Sequence, residues 1–163
     1  MYGGPARSVG GAEPGRGIGE ANPSERLSAD RPLTDDGRCF ACGPHNAEGL
    51  HLVFERDGDA GARSTVTLPP RLQGYRDIAH GGVVMMLLDE AMAHACRFFG
   101  EKAMTAKVDV RFRGAVPLGQ ELRLRGRVTD RRRNALFVEA AVTLPDDTPL
   151  ATATGTFVST GPL

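Results

Sequence analysis

The pattern of apolar and polar positions divides the chain after residue 37. Up to Gly37 it reads MYGGPARSVGGAEPGRGIGEANPSERLSADRPLTDDG, dense in Gly and Pro and nearly free of bulky apolar side chains. Such a segment buries too little surface to offset the entropy of ordering it, so a disordered arm is expected over residues 1–37. Beyond Cys39 the pattern tightens. Residues 50–55 and 62–68 are short, β-branched or alternating, and flank the turn-forming Asp57-Gly58-Asp59, which predicts a hairpin. The stretch LPPRLQGYRDIAHGG reads as a loop. Residues 83–99 follow, where Val84, Leu87, Leu88, Ala91 and Ala95 recur at helical spacing before Gly100 supplies a stop.

Residues 104–116, 121–131, 134–144 and 150–159 then carry period-two stretches such as Val108-x-Val110-x-Phe112, joined by turn chemistry at Pro117-Leu118-Gly119, Arg132-Arg133-Asn134 and Pro145-Asp146-Asp147. The links are too short for the crossovers of a parallel sheet, so the sheet must be mainly antiparallel. The helix is apolar on nearly every side and needs burial. The expectation is therefore an α+β domain over residues 38–163, with an antiparallel sheet of about six strands wrapped around one long central helix.

Composition narrows the function. Lys+Arg and Asp+Glu are each 20, so no net charge draws the chain toward nucleic acid or anionic lipid. With no Trp and 6% aromatic residues, the core must be aliphatic. Three cysteines cannot all pair within one chain, and no charged-then-apolar leader opens the sequence, which points to a reducing cytoplasm. The arm's acids, among them Glu13, Glu20 and Glu25, argue against a mitochondrial transit segment. The run from Val83 to Leu88 ends at Asp89 and Glu90, far short of the roughly 20 residues of a membrane span.

Those two acids are the anomaly. Burying a carboxylate costs several kcal/mol unless it is paired. Neighbouring helical positions point about 100° apart, so the two have separate roles. Glu90 has His94 four residues on and reads as half of an ordinary helix-surface pair. Asp89 neighbours Met85, Met86, Met92 and Ala93 without an obvious partner, and is the expected reactive carboxylate; the bland alternative is an acid facing solvent or a subunit. Ahead of the helix, His80-Gly81-Gly82 combines low bulk with backbone N–H groups at the positive end of the helix dipole, where an oxyanion is held, although a tight turn with a backbone-bonded His80 needs the same residues. Cys39-x-x-Cys42 with His45 and His51 has partial zinc-ligand spacing. A second Cys pair is missing, so reduced thiols or loop packing is the reading, with no metal and no cofactor expected, and Cys96 packs as a small apolar residue.

The segment His80-Gly81-Gly82-Val83-Val84-Met85-Met86-Leu87-Leu88-Asp89-Glu90-Ala91-Met92 resembles the signature of the hotdog-fold thioesterases of the PaaI-like superfamily. Cys39-Phe40-Ala41-Cys42-Gly43-Pro44-His45-Asn46 with Gly49-Leu50, and Thr105 through Val116-Pro117-Leu118-Gly119, resemble flanking parts of the same pattern. The resemblance implies a long helix wrapped by an antiparallel sheet. It implies an acyl-CoA thioesterase in which Asp89 acts as general base or nucleophile, Gly81 offers its N–H to the thioester oxygen with Gly82 beside it, His80 shapes the turn, and Thr105 positions the attacking water. Several members carry an Asn six residues before the histidine, where this chain has Gly74, and Gln73 is the expected substitute. The CoA phosphates need positive charge, for which Arg111, Arg113, Arg131, Arg132 and Arg133 are candidates; the competing reading of the triple-Arg run is a solvated turn. The competing functions are a hotdog dehydratase or hydratase using His80 with Asp89, and a non-catalytic acyl-CoA-binding module. An unpaired sheet edge, together with the resemblance, implies a homodimer or a dimer-of-dimers tetramer with sites between subunits.

Overall fold

The computed structural model of the protein describes residues 35–163; nearly all of the expected disordered arm lies outside the described residues. After a looped segment through the Cys39–Cys42 turn, the chain forms strands β1 (Glu55–Arg56) and β2 (Gly61–Thr67), a 3-10 turn (Pro70–Leu72), strands β3 (Gln73–Tyr75) and β4 (Ile78–Ala79), and helix α1 (Gly81–Phe98). Strands β5 (Glu101–Phe112), β6 (Glu121–Arg132), β7 (Ala135–Thr143) and β8 (Pro149–Pro162) complete it. Six strands make one sheet in the order β1-β2-β6-β7-β8-β5, and every pair is antiparallel. The expected α+β hotdog architecture is the one found.

Two local expectations change. Residues 50–54 do not pair with β2, because Leu50 and Leu52 donate instead to the carbonyls of Phe40 and Ala41 at 2.9 Å each, leaving the hairpin only Glu55–Arg56. The loop ahead of the helix contains a small ribbon, β3 with β4, turned at Asp77, whose positive φ of 62° and N–H bond to Gln73 Oε1 (3.0 Å) close it.

The helix starts where local chemistry provides a cap: His80 is extended (φ −61°, ψ 136°) and its Nδ1 accepts from Gly82 N–H at 3.0 Å. It ends at Gly100, whose φ of +98° suits glycine. Val84, Leu87, Leu88, Ala91, Met92 and Ala95 are buried and face Leu122, Leu124, Leu136, Val142 and Phe157 of the sheet. The helix is not buried all round, as its pattern suggested: Met85 is 47% exposed. Helix and sheet meet closely at Gly126, where an added Cβ would lie 2.1 Å from the Ala91 carbonyl oxygen. The sheet's far edge is β5, paired only with β8, with Met104 and Phe112 about half exposed along it.

Candidate active site

Asp89 is not without a partner. The strand that follows the helix brings Thr105 against it, and the Thr105 hydroxyl donates to Asp89 Oδ1 at 2.8 Å. Periodicity along the helix could not reveal this, because the partner arrives from β5. Burial raises the Asp89 pKa, the Thr105 hydrogen bond opposes the shift, and the charge of Glu90 adds to it. A half-buried carboxylate of raised basicity, steered by a hydroxyl, can accept a proton from water.

Glu90 points elsewhere, as the 100° step requires. Its Oε1 lies 3.3 Å from His94 Nε2, but both side chains are less than one-fifth exposed, so this is a nearly buried pair and not a surface one. His94 stacks on Phe54 with centroids 4.4 Å apart. Burial pushes the Glu90 pKa up, yet the contacts from His94, Cys42 and Cys39 outweigh it and hold Glu90 below its usual value.

At the helix start, the Gly82 N–H is taken by His80, whereas the Gly81 N–H has no partner among the described residues and is the free donor at the dipole's positive end. The ring of Phe112, on β5, lies beside Gly81, 3.6 Å from where a Cβ would be. Gln73 sits next to this turn through its register with Ala79, with its carbonyl oxygen committed to Asp77 N–H. Gly74 packs on the backbone of His80, where an added Cβ would lie 3.0 Å from His80 Cα, so an Asn there would push His80 aside.

The arginines do not gather at Asp89 within one chain. Arg111 and Arg113 line a groove on the outer face of the sheet with Arg125, Arg127, Asp109 and Glu139. Arg131 is bonded to Glu101 at 2.6 Å and Arg132 to Asp130 at 2.9 Å; Arg133 occupies the β6–β7 turn with a φ of 55°. The solvated-turn reading therefore describes Arg133, whereas Arg131 and Arg132 end strand β6 in ion pairs.

Residues 77–151, just under half of the chain, match the model of the Thioesterase superfamily. Comparison with curated proteins gives no match. Among solved structures, a thioesterase superfamily protein is 27% identical with a TM-score of 0.73, covering 83% of this chain and 70% of its own. The smu.793 protein of Streptococcus mutans, bound to acetyl CoA, is 23% identical with a TM-score of 0.64, over 68% of this chain and 90% of its own. The Escherichia coli PaaI protein of the phenylacetic acid degradation operon is 19% identical with a TM-score of 0.64, over 69% and 82%. The resemblance carried by the helix motif agrees with these comparisons: the chain has the hotdog fold, and residues 77–151 are similar to the thioesterase superfamily. Among the described residues no helix is long and apolar enough to cross a membrane.

Proposed function

We propose that the protein is an acyl-CoA thioesterase working as a homodimer, with each site built from two chains. The observation that carries this reading is the Asp89–Thr105 hydrogen bond, which holds a half-buried carboxylate next to an open strand edge. Asp89 acts as general base toward water, or as nucleophile, and Thr105 orients the attacking oxygen. A Gly81 N–H receives the developing oxyanion. The acetyl CoA bound to the S. mutans relative supports a CoA thioester as substrate.

Helical geometry explains why a second copy is needed. Asp89 and Gly81 are eight residues apart on one helix, about 12 Å along its axis. A base and an oxyanion donor serving one carbonyl each approach it to about 3 Å, so one chain does not supply both. Antiparallel pairing of β5 with β5 of a second copy closes the open edge. It runs the Thr105 end of one β5 alongside the Arg111–Phe112 end of the other, which flanks that chain's Gly81. The same step brings Arg111, which lies away from Asp89 within its own chain, near the other chain's site as a candidate for CoA phosphates. The three free cysteines suit a reducing compartment, and we assign the protein to the cytoplasm.

The test is thiol release from a panel of short, long and aryl acyl-CoAs, with enoyl-CoA hydration measured beside it. Hydrolysis of at least one thioester is expected. Hydration without hydrolysis would favour the dehydratase class, and tight binding without turnover the binding module; either refutes the proposal. The hydratase reading needs His80 as a second catalytic group; its Nδ1 accepts from Gly82 N–H, which leaves Nε2 as the nitrogen for that role.

A further inference from the structure

We propose that Cys39, Cys42 and Glu90 form a zinc site that fastens the amino-terminal loop to the helix carrying Asp89. The spacing in the sequence offers the two cysteines with His45 and His51, and of these only the cysteines fall in the cluster. The fold adds a carboxylate from 51 residues away: both Glu90 oxygens lie 3.9 Å from Cys39 Sγ, and one ligand atom from each of the three residues lies within 4.8 Å of the others. In a tetrahedral zinc site with bonds of about 2.3 Å to sulfur and 2.0–2.2 Å to oxygen, ligand atoms stand roughly 3.5–3.8 Å apart. Closing from the observed spacing takes at most about 1.3 Å per pair, within reach of side-chain rotation.

The loop is already shaped for this. Gly43 N–H bonds the Cys39 carbonyl at 2.9 Å, and a Cβ on Gly43 would lie 2.4 Å from Cys39 N, so only glycine lets the turn double back and bring both sulfurs to one side. Asn46 Nδ2 holds the Arg38 carbonyl at 3.1 Å, and the Leu50 and Leu52 N–H groups hold those of Phe40 and Ala41 at 2.9 Å each. Glu90 is oriented from behind by His94, which itself stacks on Phe54, the arrangement by which outer partners aim a metal-binding carboxylate. Two thiolates with one carboxylate favour zinc over magnesium or calcium. Binding displaces the two thiol protons to solvent, leaving Cys39 and Cys42 as thiolates, with a water completing the fourth position. The competing states of the pair are reduced thiols, Cys39 donating to Glu90, and a Cys39–Cys42 disulfide. The disulfide would offer the enclosed Glu90 carboxylate neither a donor nor a positive charge.

The test uses the full chain purified under reducing conditions without chelator, with metal measured by elemental mass spectrometry. Zinc is expected at one per chain in the wild type and in Cys96→Ala, and absent from Cys39→Ser and Cys42→Ser. Glu90→Gln should bind it at least about tenfold more weakly. Should a variant fail to fold, Co²⁺ titration of the chelator-stripped wild type gives an independent reading, because two thiolate ligands produce an intense near-ultraviolet charge-transfer band. Wild-type protein that carries no zinc from zinc-supplemented growth and shows no such band overturns the proposal. So does zinc content unchanged in Cys39→Ser, or a Cys39–Cys42 disulfide found in protein from a reducing cytosol.

Discussion

Replacing Gly126 by alanine tests how closely α1 is seated in the sheet. The new Cβ would stand 2.1 Å from the Ala91 carbonyl oxygen and 3.1 Å from Met92 N, both backbone atoms of the helix. That is about 1 Å short of an ordinary carbon–oxygen contact, and no side chain can rotate away to relieve it. Overpacking of this kind costs about 1–3 kcal/mol. The loss of glycine's freedom in the unfolded chain returns roughly 0.4–1 kcal/mol, so the net is about 1–2 kcal/mol of destabilisation. For a domain of this size that lowers Tm by about 4–8 °C in a calorimetric or circular dichroism melt. Gly114→Ala is the control: its Cβ would meet only Leu150 Cδ2 at 3.6 Å, so stability should stay level or rise slightly. Gly126→Ala as stable as the wild type, or both variants falling equally, would refute the argument from the helix–sheet contact.

Asp89→Asn should cut turnover by about 10²–10⁴-fold, since the amide cannot accept the proton, while leaving Tm equal or higher because burial disfavours that carboxylate. Thr105→Ala should lose about 10–100-fold by releasing Asp89 from its hydrogen bond, without a comparable loss of substrate binding. Glu90→Gln, by contrast, should retain most turnover per folded molecule but melt earlier, because it strips His94 of its charged partner; equal catalytic losses at positions 89 and 90 would show that the two acids are wrongly divided.

How much of this was legible depended on range. The helix was readable from Val84, Leu87, Leu88, Ala91 and Ala95, and its stop from Gly100, because both signals are local. The long strands were readable from alternation. The division between Asp89 and Glu90 followed from the angle between neighbouring helical positions. Thr105 is named with Asp89 only through the family resemblance, and what the sequence hides are partners that arrive from elsewhere: Phe112 beside Gly81, and the two cysteines for Glu90. Residues 50–54 were misassigned for the same reason. Alternation marks an extended segment but not its neighbour, and here the neighbour is the Phe40–Ala41 loop. The arginines looked alike in sequence, and only the register separated those facing outward from those tied into ion pairs.

The most direct test of the shared site is complementation between two dead chains. Gly81→Pro removes the free N–H with little else: proline is accepted at the first helical position, His80 before it is already extended, and only Phe112 lies near the added carbons. Mixed with Asp89→Asn after subunit exchange, half of the dimers are hybrids, and each hybrid holds one intact site of two. Thiol release from an acyl-CoA should therefore return to about one quarter of the wild-type rate per chain. Hybrids that stay inactive after verified exchange, or a wild-type protein fully active as a monomer, would contradict the account.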